Sequence, residues 1–166
     1  MNDFLAKYQK EQDDRITVFK ENMVLWCKFL TENGIAQVKC EYDGSGDSGQ
    51  IEDTGFYRQY DAEQQLWDNE VSDLVSQKEL DKLKLPDELK QKTWVMKEDG
   101  PSQWEIPEGD QQVSVAYEYW ACEALPPGFE INDGSFGTLD FNVKEKCMEV
   151  VNNARMTHYN TETYEV

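Results

Sequence analysis

Between Asn2 and Asn33 the apolar residues Ile16, Phe19, Met23, Trp26 and Leu30 recur at alternating steps of three and four. On a helix of 3.6 residues per turn this spacing gathers them into one stripe, which commits the chain to a long amphipathic helix that must cover an apolar surface. Asn2 or Asp3 can cap its start, and Asn33-Gly34 is a left-handed stop signal. Gln9 to Arg15 carries no apolar residue, so the first half is expected to project beyond the core or to fray. A stripe of this kind serves the chain's own core rather than a cofactor or partner groove.

Strand periodicity follows. Val38, Cys40 and Tyr42 alternate with Gln37, Lys39 and Glu41, the period of a half-buried strand, and GSGDSG breaks it. With Ile51, Phe56 and Tyr57 resuming afterwards, Ala36 to Gln59 reads as a β-hairpin with a Gly-rich connection. Asp61 to Val75 and Gln77 to Thr93 read as two weaker helical stretches, and Trp94 to Asp110, with turn signals at Gly100-Pro101 and Pro107 to Gly109, as a loop with one short strand. Gln111 to Leu125 reads as a helix, with Val115, Tyr119 and Cys122 beside Ala116 and Trp120 at helical steps, stopped by Pro126-Pro127-Gly128. A second hairpin is expected from FEIN, the turn DGSFG and TLDFNV, with Leu139, Phe141 and Val143 on one face. The tail from Lys146 is a strand broken at Asn152-Asn153 or a short helix. The sum is one α+β domain over residues 1–166, its antiparallel hairpins forming one sheet with helices packed on one face, and 61–110 an insertion or lid.

Charge is the compositional outlier. The 34 acidic and 16 basic residues give a net charge of −18. Glu98 to Val143 holds ten carboxylates and no Lys or Arg; Cys40 to Gln77 holds ten more and only Arg58. Such a surface repels nucleic acid and anionic membranes and attracts basic proteins. Aromatic residues sit among carboxylates, as in YEYWACE and SQWEIPEGD, which argues against direct nucleic-acid binding. MNDFLAKYQKEQDDR has no apolar signal core, and no apolar run is long enough for a membrane span, so a cytoplasmic location is expected. Cys27, Cys40, Cys122 and Cys147 form no C-x-x-C pair, and with His158 as the one histidine there is no zinc ligand set; the thiols are expected reduced and mostly buried.

Two motifs invite chemistry. GDSG surrounds the nucleophilic serine of chymotrypsin-like proteases, but a base must lie in hydrogen-bond reach of Ser48, and His158 stands after the serine rather than before it. As a calcium loop, Asp43, Ser45 and Asp47 occupy the first three ligand positions, yet Gly49 falls one place late and Thr54 stands where a bidentate Glu belongs. A looser metal site remains. Asp133-Gly134-Ser135-Phe136-Gly137 echoes Asp43-Gly44-Ser45-Gly46, and if the turns adjoin, Asp43, Asp47, Glu52, Glu130 and Asp133 could share Ca2+ or Mg2+. Turn chemistry is the preferred reading, because Asp-Gly is what tight turns need for backbone reasons alone.

YDGSGDSGQIE, GFEINDGSFGTLDFNV and the following Asn153-Ala154-Arg155 resemble a family of small uncharacterised bacterial and phage-borne proteins, a domain of unknown function. The resemblance covers the first hairpin and roughly the last fifty residues, with no counterpart for Asp61 to Asp110. It implies an α+β fold and a home on mobile elements, and brings no activity.

The functional expectation is a non-enzymatic acidic binding protein, acting on a basic or nucleic-acid-binding host protein as a phage or mobile-element inhibitor that mimics nucleic acid. Its contact surface is expected at Glu98, Asp99, Trp104, Glu105, Glu108 and Asp110, with Trp104 as anchor. The alternative is a divalent-metal-dependent enzyme or metal-stabilised module built on the two Asp-Gly-Ser turns.

Overall fold

The computed structural model describes residues 2–46, 48–63, 66, 73–96, 100–131 and 133–156. Helix α1 spans Asn2–Glu32. It stops where expected: Gly34 adopts φ +69°, and the Gly34 and Ile35 amides turn back onto the Thr31 and Leu30 carbonyls, satisfying groups the helix leaves open. Strands β1 (Gln37–Ser45) and β2 (Ser48–Tyr57) form the first hairpin, with a bulge opposite Glu41 and Tyr42 that leaves Glu52 out of register.

Between the hairpins the described structure is mostly irregular. The stretch expected as a helix over Asp61 to Val75 shows turns and a bridge from Tyr57 to Leu74, with part of it outside the described residues. Gln77 to Thr93 holds only α2 (Gln77–Leu80) and a 3-10 turn at Asp87–Leu89, because Pro86 starts a new turn instead of continuing the first. Trp94 to Asp110 is more ordered than expected: β3 (Thr93–Val95) pairs with β4 (Gln103–Glu105) as a separate two-stranded sheet.

Helix α3 covers Val113–Ala121 and tightens into a 3-10 turn at Cys122–Ala124. Its buried face is Val113, Ala116, Tyr117, Trp120 and Ala121, while Val115 and Tyr119 are half exposed. The second hairpin is also re-cut. Strand β5 (Ser135–Asn142) pairs with β6 (Cys147–Ala154), Phe129 to Ile131, expected as a strand, form turns, and Gly134 stands at φ +73° just before β5. Strand β6 continues through Asn152-Asn153. The four strands make one antiparallel sheet in the order β2-β1-β5-β6, so the two hairpins join along β1 and β5.

Helices α1 and α3 pack on one face of this sheet. Trp26 meets Tyr117 edge-on at 5.1 Å, Phe19 stacks on Trp120 at 4.9 Å, and Phe56 and Phe141 close the cluster from the sheet, with Leu139 and Val143 also buried. On the other face Gln37 is buried and exchanges two hydrogen bonds with the Asp61 backbone, while its amide also donates to Asp140, which pairs with Lys39 at 3.6 Å. Segment 61–110 is therefore tied to the sheet at its start. Cys27 and Cys40 are buried as expected, but Cys122 and Cys147 are exposed; all four thiols are free. No described helix is long and apolar enough to cross a membrane.

Candidate functional site

The two Asp-Gly-Ser turns do meet. A Cβ on Gly134 would lie 1.7 Å from the Gly44 carbonyl oxygen, so the two backbones touch where only glycine fits. Phe129, from FEIN, lies over Gly44 and Gly49, whose Cβ atoms would fall within 2.7 Å of its ring. That packing is why Phe129 to Ile131 form no strand: the Phe129 ring caps the first hairpin instead of extending the second. Tyr42 supports it from below, edge-on to Phe129 at 5.6 Å, with its hydroxyl donating to Asn152 Oδ1 at 2.6 Å.

The charge at this junction is balanced by a side chain of the chain itself. Arg155 pairs with the Asp43 carboxylate, donates to the Gly44 carbonyl at 2.9 Å, and lies 5.0 Å over the Phe136 ring, while its own amide donates to the Gly134 carbonyl at 3.0 Å. One guanidinium thereby ties both turns and β6 together. Of the other candidate ligands, Glu130 passes close to Gly44, Asp133 precedes the left-handed Gly134, and Glu52 lies on the exposed edge strand, accepting from Gln50. Asp47 lies outside the described residues, as does His158. Among the described residues no group of three His, Cys, Asp or Glu side chains could hold a metal ion. Ser48 Oγ donates to the Ser45 carbonyl at 3.4 Å, as a turn residue does. In the sequence Arg155 stands out only within Asn153-Ala154-Arg155, and an Arg following two acidic turns is the one local signal of its role.

The second candidate surface is the β3–β4 hairpin. Trp94 stands opposite Trp104, their rings 5.4 Å apart and tilted by 65°, and they are 53% and 61% exposed. At its base Gln111 clamps the backbone of Gln91 through two hydrogen bonds of 2.8 and 2.9 Å. The hairpin is thus held by its foot while its aromatic pair faces solvent, beside exposed Met96 and Ile106. Glu108 and Asp110 are exposed in the segment after β4, and Glu105 ends β4 half-buried. Glu98 and Asp99 lie outside the described residues. Trp104 also walls an open groove of about 350 Å³ with Val18 and Asn22 of α1, Tyr119 of α3, and Lys92 and Glu123. Trp104 is the anchor expected from the sequence; Trp94 and Tyr119 come from the fold. Two Trp residues flanking a Gly-Pro turn signalled the first; nothing local signalled the second.

Cross-strand charge shapes the sheet's open face. Glu41 opposes Asp53 on β2, and burial first, then this like charge, raises its carboxyl above the usual range, with Lys39 acting the other way. Burial likewise raises the Cys40 thiol and the Tyr117 hydroxyl. In α2, the Ser76 hydroxyl and amide both donate to Glu79, which also accepts from Arg58; these bonds lower its carboxyl.

Residues 18–110 match a family of unknown function, DUF6878, over more than half of the chain, and the chain belongs to that family. No curated protein and no solved structure matches it. The matched residues take in the core half of α1, the first hairpin and the β3–β4 hairpin. Segment 61–110, which has no counterpart in the resemblance carried by the two Asp-Gly-Ser turns, thus lies within the family match, whereas α3 and the β5–β6 hairpin lie beyond it.

Proposed function

We propose that this member of a family of unknown function is an acidic, non-enzymatic binding protein that docks a basic partner on the Trp94–Trp104 hairpin. The observation that carries the reading is the tryptophan pair, held on a clamped hairpin yet more than half exposed on both rings. Paired aromatics without a core role are costly to leave in water and are the residue type that anchors interfaces. Beside them in the chain Glu105, Glu108 and Asp110 supply carboxylates that can stand where phosphates stand in a Lys/Arg-lined groove, and Glu98 and Asp99 lie between the two strands in sequence. The net charge of −18 steers such a partner inward and makes the encounter salt-sensitive.

The partner class is a nucleic-acid-binding protein of the host, and the biological role is an inhibitor carried by a phage or other mobile element in the cytoplasm. The metal-dependent alternative receives less support, because Asp43, its central ligand, is engaged by Arg155. The test is affinity capture at low ionic strength with wild-type protein and a Trp94→Ala, Trp104→Ala variant, followed by competition with duplex DNA. Basic proteins retained by wild type, lost from the variant, and released by added salt or by DNA are expected. Equal retention on both columns, or capture indifferent to salt, overturns the proposal.

A further inference from the structure

The apolar stripe of α1 does not end where the domain does. Leu5, Tyr8, Gln12 and Ile16 continue the line of Phe19, Met23, Trp26 and Leu30 toward the N-terminus at the same steps of three and four. Phe19 and Met23 pack on the core, but from Leu5 to Val18 every residue except Gln12 is exposed. Leu5, Tyr8 and Ile16 are each more than half exposed. Residues 5–18 extend about 20 Å along the helix axis, and a helix segment of that length with its apolar side mostly exposed is marginal in water.

We infer that this face is covered by the same face of a second copy of the chain, running antiparallel. Three observations select that occupant. First, the pattern is its own complement when reversed. With Gln12 opposite Gln12 of the second copy, Tyr8 falls opposite Ile16 and Leu5 opposite Phe19, so apolar residues meet apolar residues in both directions about one two-fold axis.

Second, the charges on one edge of the seam favour this register. Glu11, which pairs with Lys7 of its own helix at 3.9 Å, and Arg15 lie on the same edge of the stripe, and reversal sets two Glu11–Arg15 attractions between copies against one Glu11–Glu11 repulsion, with Asp13 meeting Asp13 on the opposite edge. The helix as a whole is nearly neutral, carrying five of the 16 basic residues but only six of the 34 acidic ones. It is therefore the one long element at which two strongly acidic molecules can approach without adding to their repulsion.

Third, a receptor for the crossing side chain is present. An open cavity of about 380 Å³ lies where α1 leaves the body, walled by Gln12, Ile16 and Phe19 on the helix and by Leu125, Pro126 and Phe129 opposite. In the antiparallel register Leu5 of the second copy arrives opposite Phe19, at this cavity. The dimer this makes is isologous and independent of the partner surface on the β3–β4 hairpin.

The experiment is light-scattering mass determination across a concentration series, with charge variants to test the register. Wild type is expected to reach a mass near twice 19.3 kDa. Leu5→Asp with Ile16→Asp should yield the single-chain mass with unchanged melting of the body, since both residues lie outside its core. Glu11→Arg alone should also give the single chain, by setting like charges across the seam, and Glu11→Arg with Arg15→Glu should restore the double mass. A wild-type mass of one chain at every concentration overturns the proposal and leaves the face to a different protein. A dimer that survives Leu5→Asp with Ile16→Asp, or one indifferent to Glu11→Arg, equally overturns it.

Discussion

Asp43 and Arg155, 112 residues apart in the chain, meet in an ion pair at the junction of the two Asp-Gly-Ser turns. The guanidinium also holds the Gly44 carbonyl, so the pair closes β6 over the tip of the first hairpin. The first Asp-Gly-Ser turn is thereby fastened to the second hairpin.

Removing that fastening should destabilise the fold. Arg155→Met is expected to cost about 1–2 kcal/mol, from a lost charge-assisted pair and an unsatisfied carbonyl. Asp43→Asn should cost less, and the double variant less than the sum of the two, because they share one interaction. Urea unfolding of the four proteins measures this; strict additivity would show that the pair contributes nothing.

Glycine substitutions should separate steric from conformational need. Gly134→Ala meets the Gly44 carbonyl at a positive φ and should cost more than about 2 kcal/mol. Gly46→Ala, at φ +58° with open space around it, should cost only about 1 kcal/mol. Gly100→Ala meets nothing and has no positive φ, so it should leave stability unchanged or raise it by about half a kcal/mol. Melting curves that rank Gly46→Ala below Gly134→Ala would contradict the close approach of the two turns.

Glu41 should oppose folding at neutral pH. Its carboxyl is raised in the folded state, so the fold binds this proton more tightly than the unfolded chain and loses stability as pH climbs through the carboxylate range. Glu41→Gln removes the like charge opposite Asp53 and should gain about 0.2–1 kcal/mol at pH 7. Below about pH 3 the gain should vanish, since Glu41 is then protonated in both states. A pH series of melting temperatures for wild type and variant reads it directly; a gain that persists in acid would assign the effect to something other than charge.

The tryptophan pair should be dispensable for folding and not for binding. Trp104→Ala should change stability by less than about 1 kcal/mol, because the ring is mostly in water. The same change should weaken the partner complex by about 2 kcal/mol or more. Acrylamide quenching supplies an independent check, since Trp94 and Trp104 are accessible whereas Trp26 and Trp120 are enclosed. Quenching unaltered by Trp94→Ala with Trp104→Ala would place the accessible indoles elsewhere.

Local periodicity by itself determined that residues 2–33 form a helix ending at Gly34, that β1 alternates between core and open face, and that the fold class is α+β. These features depend on neighbours within a turn or a strand, where spacing and a left-handed stop carry the information. Only the tertiary structure decided which side of α3 is buried, because its Val115–Tyr119 and Ala116–Trp120 faces are both apolar and the choice belongs to Trp26, Phe56 and Phe141. It likewise decided that Phe129 caps the first hairpin instead of joining a strand, that Trp94 faces Trp104, and that Arg155 pairs with Asp43. Each of these rests on contacts between residues distant in the chain, and the spacing of residues along a segment contains no record of what will be folded against it.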